Sequence, residues 1–544
     1  MPTKILGAAL GTCVHVSGLD HFLKLAEAEG YETIFAGPAV APARLIALIR
    51  EHNPDMVAVS YRLTPATARR LFAKLKELIA QEKLTSLRFI FGGTTPVALV
   101  AKESALFEKV FSGEESLEEI KTFLSCKESL PRTQHQAATL LKRIAQKYPY
   151  PLLRHHFGLP TLEETVAGAA RIAQAQVLDV LSIGPDQNAQ EHFFHPEAMN
   201  HEQDGAGGVP LRKESDLEAL YAATRCGNFP LLRCYSGTRD LLAWAEMSVK
   251  TIHNAWGAIP LCWYSVLDGR SQRNMVEAIR ENQSTMNWYA GRGWPVEVNE
   301  SHQWSLRDAH DALAVAMAFL AAYNAKKMGV RHYIAQYMFN TPPGTVPVMD
   351  ITKMLANKVL IETLKAKNFI PYTEVRAGIA HFSTNPAMAK GQLAASAVIS
   401  LALKPHILHA VGYSEGDHAA SADEVIESCL IAHGVLHDAL HGLPDLTKSE
   451  IVRKRKRHLL QEASILLRAI QKVGSESSQD PWSDPIVLAA AIGRGILDTP
   501  HFKGLPHACG KITTKCIDGA WFAIEPETGR IINEQERLAA LVPV

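Results

Sequence analysis

Two α/β domains in series are predicted: a doubly wound parallel sheet over residues 1–127 and a (β/α)8 TIM barrel over 161–475. A linker, 128–160, joins them, and a C-terminal extension, 476–544, is expected to pack on the barrel. Three observations carry this. In the first part short β-rich runs alternate with helical ones; from about Leu178 the alternation resumes at a longer spacing; and many of the apolar runs end in polar, Gly-rich loops.

In order, the first part reads Ile5 to Leu10 then Leu19 to Glu29, Thr33 to Ala36 then Pro42 to Glu51, Met56 to Ser60 then Thr67 to Gln81, and Arg88 to Phe91. Val110-Phe111-Ser112-Gly113 makes a last short strand and turn, and Leu117 to Leu124 a closing helix. Right-handed crossovers between such strands give a flavodoxin-like sheet whose ligand site lies at the carboxyl ends of the strands. Pro131 to Pro160, several prolines around a basic helix, reads as linker. Beyond it Val177 to Ile183, Pro230 to Tyr235, Leu261 to Leu267, His332 to Met338 and His406 to Val411 each precede a helical stretch, as barrel strands do. The loops after them, Gly184-Pro185-Asp186, Ser236-Gly237-Thr238, Asp268-Gly269-Arg270 and Gly412 to His418, are where a barrel enzyme keeps its chemistry.

Composition excludes several classes. The chain has 544 residues, too many for one core, and its 56 basic side chains balance 56 acidic ones, so nothing invites nucleic acid or an anionic membrane. The basic run Arg453 to Arg457 reads as one solvated helix face. No apolar stretch reads as long enough to span a membrane, and Met1-Pro2-Thr3-Lys4 leads straight into a strand, so a cytoplasmic protein is expected. Eight cysteines without any C-x-x-C fit reduced thiols. A small-molecule substrate and a homodimer are the expected partners.

The residues that carry chemistry begin with Cys13-Val14-His15-Val16-Ser17-Gly18 after the first apolar run, Ser60 ending another, and Gly92-Gly93-Thr94 ending a third. All three fall on the same sheet edge. The pattern resembles the cobalamin-binding module of vitamin B12 enzymes, with its D-x-H-x-x-G loop, serine and G-G pair. The resemblance implies a cobalamin cofactor, its cobalt ligated by His15, since a neutral imidazole on a loop is a good cobalt ligand. It also implies a nucleotide tail held by Ser17, Gly18, Ser60, Leu63, Gly92, Gly93 and Thr94. Here Cys13 stands where the family has an acid, and Leu63 falls one place late in the family's S-x-L. A thiol is a poorer partner for the ligand imidazole than a carboxylate, so cobalt ligation is expected to be differently tuned.

The second part is similar to the catalytic subunit of glutamate mutase, the methylaspartate mutase family. Asn228-Phe229-Pro230-Leu231, Gly237-Thr238, Trp263-Tyr264-Ser265-Val266, Met328-Gly329-Val330-Arg331, Gly412 to Glu424 and Gly495 to Pro500 follow its order. This implies a B12 subunit fused ahead of its barrel. It further implies adenosylcobalamin bound base-off between the domains, with a radical rearrangement secluded in the barrel. The substrate does not carry over: the family's three arginines fall at His156, Gln190 and Arg233-Cys234-Tyr235, and its amine-binding carboxylate near Ala258. Of the contacts to the adenosyl ribose only Glu415, next to Tyr413, has a counterpart, which leaves the upper cobalt ligand open. Tyr264, Asp268 and Arg270 at one strand end, with Glu300 and His302 after the next, are the candidate catalytic residues. An acid and an imidazole there could transfer a proton, or equally form a loop cap. His192, His195 and His201 with Glu191 and Asp204 read as an ordinary polar loop rather than a metal site. The expected activity is therefore a carbon-skeleton mutase acting on a small acid other than glutamate. The alternatives are methyl transfer or elimination on a corrinoid, or a corrinoid carrier or sensor without catalysis.

Overall fold

A computed structural model describes residues 3–124, 136–235, 237–440, 442–539 and 541, in two compact units, 1–132 and 133–544. Cys126, the first part of the expected linker and Ser236 lie outside the described residues.

The first unit is one five-stranded parallel sheet. Its strands are β1 (Lys4–Ala9), β2 (Glu32–Phe35), β3 (Met56–Ser60), β4 (Arg88–Gly92) and β5 (Lys109–Phe111), in the order β2-β1-β3-β4-β5. Helices α1 (Ser17–Ala28), α2 (Pro42–His52), α3 (Pro65–Gln81), α4 (Thr95–Glu103) and α5 (Leu117–Leu124) cover its faces. The central strands read as near-continuous apolar runs because both of their faces are buried. Proline in the first turn of α2, α3 and α4 starts each helix without loss of a needed N–H. The strand order reverses between β1 and β3, where Ser60 is in register with Ala9 on one side and Gly92 on the other. That is the switch point at which such sheets hold ligands.

The second unit is an eight-stranded parallel barrel: β6 (Leu152–Phe157), β7 (Val180–Ile183), β8 (Leu231–Cys234), β9 (Gly257–Ile259), β10 (Val296–Val298), β11 (His332–Phe339), β12 (Ile370–Ala377) and β13 (Ile407–His409). Its pairing order is β8-β7-β6-β13-β12-β11-β10-β9, and Ala255 N–H donates to Leu232 C=O (2.8 Å) across the seam between the two end strands. Two expectations are corrected. The expected linker already contains the helix Leu140–Lys147 and β6, the strand that pairs β13 with β7, so the barrel begins before residue 161. Leu261 to Leu267 is a loop, not a strand: Leu261 and Cys262 donate their amides to the Glu300 carboxylate, and Tyr264 lies at φ +61. The run looked like a strand because Leu261, Cys262 and Trp263 are fully buried.

One stretch, Pro386–Leu403, is apolar and long enough to cross a membrane by composition, contrary to expectation; it is an outer barrel helix packed on β12 and on the helix Ala422–Ala439. The basic run lies on the helix Glu450–Gly474, mostly in solvent, with Arg455 turned in to Asp311 (3.0 Å). The C-terminal segment returns to the barrel helices: Gln283 donates to Ser483 C=O (2.7 Å), and Asp311 accepts from Trp521 N–H (3.2 Å) in the hairpin of β14 (Thr513–Ile517) and β15 (Ala520–Ile524). The seven described cysteines are unpaired.

Candidate functional site: a cavity on the sheet edge and a polar barrel interior

At the carboxyl edge of the first sheet the loops after β1, β3, β4 and β5 surround a cavity of about 610 Å³. His15, Ser17, Gly18, Ser60, Gly92, Gly93 and Thr94 line it, over an apolar floor that includes Phe22, Ile90 and Phe111. The glycines differ in what they do. A Cβ on Gly93 would sit 2.4 Å from Tyr61 C=O and 2.8 Å from the Phe91 ring, so the fold itself requires glycine there. A Cβ on Gly18 or Gly92 meets nothing within 4 Å. At these two cavity-lining positions a Cβ would enter open space, so the fold itself does not require glycine there. Ser60 Oγ is buried with no hydrogen-bond partner among the described residues, an arrangement that costs free energy unless a ligand completes it.

His15 stands exposed at the cavity and Cys13 is buried beneath it, Sγ 4.0 Å from Nδ1. The contact leaves Nε2 as the nitrogen available to a metal. Leu63 is exposed and does not line the cavity.

Residues 3–121 match the family model of the B12 binding domain. The first unit is a B12-binding domain. Among solved structures the chain is similar to a novel cobalamin-binding protein from Desulfitobacterium hafniense DCB-2, 24% identical, over 20% of this chain and 52% of that one, with a TM-score of 0.19. The chain thus spans about half the length of that protein. NtrX from Brucella abortus, in complexes with ADP and with ATP, is 10% and 11% identical over 90% of this chain, both at a TM-score of 0.17. Scores this low carry no argument about the barrel. No curated protein matches the chain. The B12-binding domain fits its cofactor on the structure's own terms, with a cavity lined by two glycines that the fold itself does not require, an orphaned buried hydroxyl in its wall and an imidazole beside it whose Nδ1, not Nε2, meets Cys13.

Inside the barrel, side chains from alternate strand positions form a buried polar cluster. Arg154 is ion-paired with Glu374, donates to Ser182 Oγ (2.7 Å) and donates to His156 Nε2 (2.7 Å). Since a guanidinium can only donate, His156 Nε2 must be the acceptor, and Tyr235 O–H donates to the same nitrogen (2.8 Å). Arg233 pairs with Glu297 (3.0 Å), whose carboxylate also accepts from Trp256 Nε1–H (2.6 Å) and Gln336 Nε2–H (2.7 Å). Burial works against the Glu297 anion, but Arg233 and Arg154 outweigh it and hold its pKa low; burial raises Glu374 in spite of Arg154. Burial, followed by the surrounding arginines, drives His156 well below its usual pKa, and burial with neighbouring His156 does the same to His409. The buried cluster thus holds three arginines, Arg154, Arg233 and Arg376, of which only Arg233 fell near a position of the mutase family's substrate arginines.

The candidate catalytic residues surround this cluster without all being free for chemistry. Glu300 accepts from Leu261 N–H, Cys262 N–H and Trp304 Nε1–H (2.7 Å), so it clamps the 261–264 loop. Asp268 caps the same loop through the amides of Tyr264 (3.1 Å) and Ser265 (3.2 Å), and exposed Arg270 lies 5.5 Å from the Tyr264 ring centre. Tyr264 is buried, which raises its pKa. Burial, then Arg376, pushes His302 down to about 3, so it stays neutral, and among the described residues no hydrogen bond joins it to Glu300. The expected acid and imidazole pair is therefore a clamp and a neutral ring. Tyr413 donates to Glu427 (2.6 Å), and Glu415 accepts from Gly412 N–H (3.2 Å) in its own loop. His195 binds Asp240 (3.1 Å) and His201 binds Asp204 (3.2 Å); among the described residues no group of three or more ligating side chains could hold a metal.

Sequence reasoning missed Arg154, Glu297, Gln336, Glu374, Arg376 and His409. The signal was the two-residue spacing inside apolar strands, as in Arg154 and His156 or Glu374 and Arg376, which puts both side chains on one face.

Proposed function

We propose that the protein is a cobalamin-dependent isomerase of the carbon-skeleton mutase type, acting on a small acid other than glutamate. The observation that carries this reading is a B12-binding domain, with an open slot for the cofactor's tail, in one chain with a barrel whose interior is polar and buried. Adenosylcobalamin, when bound, supplies an organic radical by homolysis of its carbon–cobalt bond. The chain's own residues bind and seclude. His15 ligates the cobalt, Ser17, Gly18, Ser60 and Gly92 seat the tail, and Thr94 borders it. Tyr264 and His302 face the substrate as neutral groups, while Asp268, Arg270 and Glu300 hold their loops. Burial of Arg154, Arg233 and the histidines keeps water from the reacting carbon atoms.

The test is to load the full chain with adenosylcobalamin, add small acids without oxygen, and follow electron paramagnetic resonance and product by NMR. A cobalt(II)-coupled radical with an isomerised product supports the mutase; turnover with methylcobalamin alone, and no radical, rejects it. Methyl transfer is the second reading, favoured by the commitment of Tyr413 and Glu415 to contacts within the barrel.

A further inference from the structure

The barrel's charges are unevenly committed. Arg154 has Glu374, Ser182 and His156 as partners, and Arg233 has Glu297. Arg376 has no carboxylate partner among the described residues: its Nε donates to Ala377 C=O (3.3 Å) and its two terminal nitrogens have no partner there, although the residue is only 8% exposed, whereas Arg233, with Nε and Nη1 unpartnered, has its charge met by Glu297. It sits in register with His409 on the next strand, and His409 with Arg154 on the one after. Both ring nitrogens of His409 are buried and unpartnered. Three guanidinium groups thus face two carboxylates, and the histidines among them are neutral. One positive charge remains, on Arg376, the one arginine of the three without a carboxylate partner among the described residues.

We infer that the barrel takes a substrate with a single carboxylate, seated on Arg376 and His409, and with no second negative charge. The free edge of Arg376 offers a bidentate fork to that carboxylate, and neutral His409 adds one N–H. A second carboxylate would find Arg154 and Arg233 already neutralised and would approach Glu297 or Glu374, a like-charge contact in a dry site. The inference rests on the barrel being the substrate site of the proposed isomerase. It narrows the substrate to monocarboxylic acids whose remaining groups are neutral or cationic.

The test uses the full chain, with and without hydroxocobalamin, titrated calorimetrically with butyrate, butyramide and glutarate. Saturable butyrate binding is expected, with butyramide weaker by about 10-fold or more, the worth of a charge-assisted hydrogen bond, and glutarate no tighter than butyrate. Arg376→Gln should bring butyrate down to the level of butyramide. The inference is overturned if glutarate binds tighter, if butyramide binds as well as butyrate, if no ligand binds under either condition, or if Arg376→Gln leaves butyrate unchanged. Should that variant fail to fold, the wild-type series decides alone. Binding without any isomerisation would reject the mutase and leave the carboxylate site standing.

Discussion

Gly18→Ala should raise the stability of the cofactor-free domain and lower its affinity for cobalamin, two effects of opposite sign from one methyl group. Gly18 is the second residue of α1, and a Cβ there meets nothing within 4 Å. Alanine in place of an exposed helical glycine stabilises by about 0.5–1 kcal/mol, through helix propensity and a less flexible unfolded chain. Gly18 also lines the cavity that the tail would fill, and one extra methyl in a well-packed contact costs about 1–3 kcal/mol, or roughly 5- to 150-fold in Kd. Gly93→Ala is the control with the reverse logic. Its Cβ would meet Tyr61 C=O at 2.4 Å, so the cofactor-free fold itself should lose about 1–3 kcal/mol. The assay is urea unfolding of the cofactor-free protein, followed on the B12-binding domain, beside titration with hydroxocobalamin read in the visible spectrum. If Gly18→Ala binds cobalamin as tightly as the parent, the cavity is not the tail slot. If it unfolds more easily than the parent, the space beside Gly18 is not open.

Ser60→Ala should leave cofactor-free stability unchanged or slightly raised, because it removes a buried hydroxyl with no partner, while weakening cobalamin binding by about 5- to 10-fold; urea melts and the same titration check both. Glu300→Gln should destabilise the barrel by about 1–3 kcal/mol, since the amide cannot accept equally from two backbone N–H groups and Trp304, and differential scanning calorimetry would read the loss. His302 binds a proton in the unfolded chain below pH 6.5 but in the folded barrel only near pH 3, so it removes stability as the pH falls through that window. His302→Gln should therefore flatten the fall in unfolding free energy between pH 6.5 and 3; an unchanged slope would show that the ring is not held neutral.

The first domain was legible nearly element by element, because parallel strands buried on both faces appear as uninterrupted apolar runs and prolines mark the helix starts. The candidate site's position was legible too, since His15 follows one such run and Ser60 and Gly92 end two others, and all three line the cavity on one edge. The barrel was legible as a class but not strand by strand. Its strands β9, β10 and β13 have three residues each, too short for a period to show, while the buried loop at Leu261 carries the apolar composition of a strand. Its polar interior was hidden for another reason. Arg154, Glu297 and Glu374 come from strands far apart in the chain, and each would look out of place in a buried strand until its partner is known. Glu300 and Asp268 were legible as acids beside strand ends, but only the geometry shows that their oxygens are occupied by backbone amides.

The most direct test of the account is the visible spectrum of the full chain with adenosylcobalamin, recorded beside that of His15→Ala. The account predicts a base-off complex with a histidine ligand in the parent and loss of that ligand in the variant. A base-on spectrum, an unchanged spectrum in the variant, or no binding to the parent would contradict it.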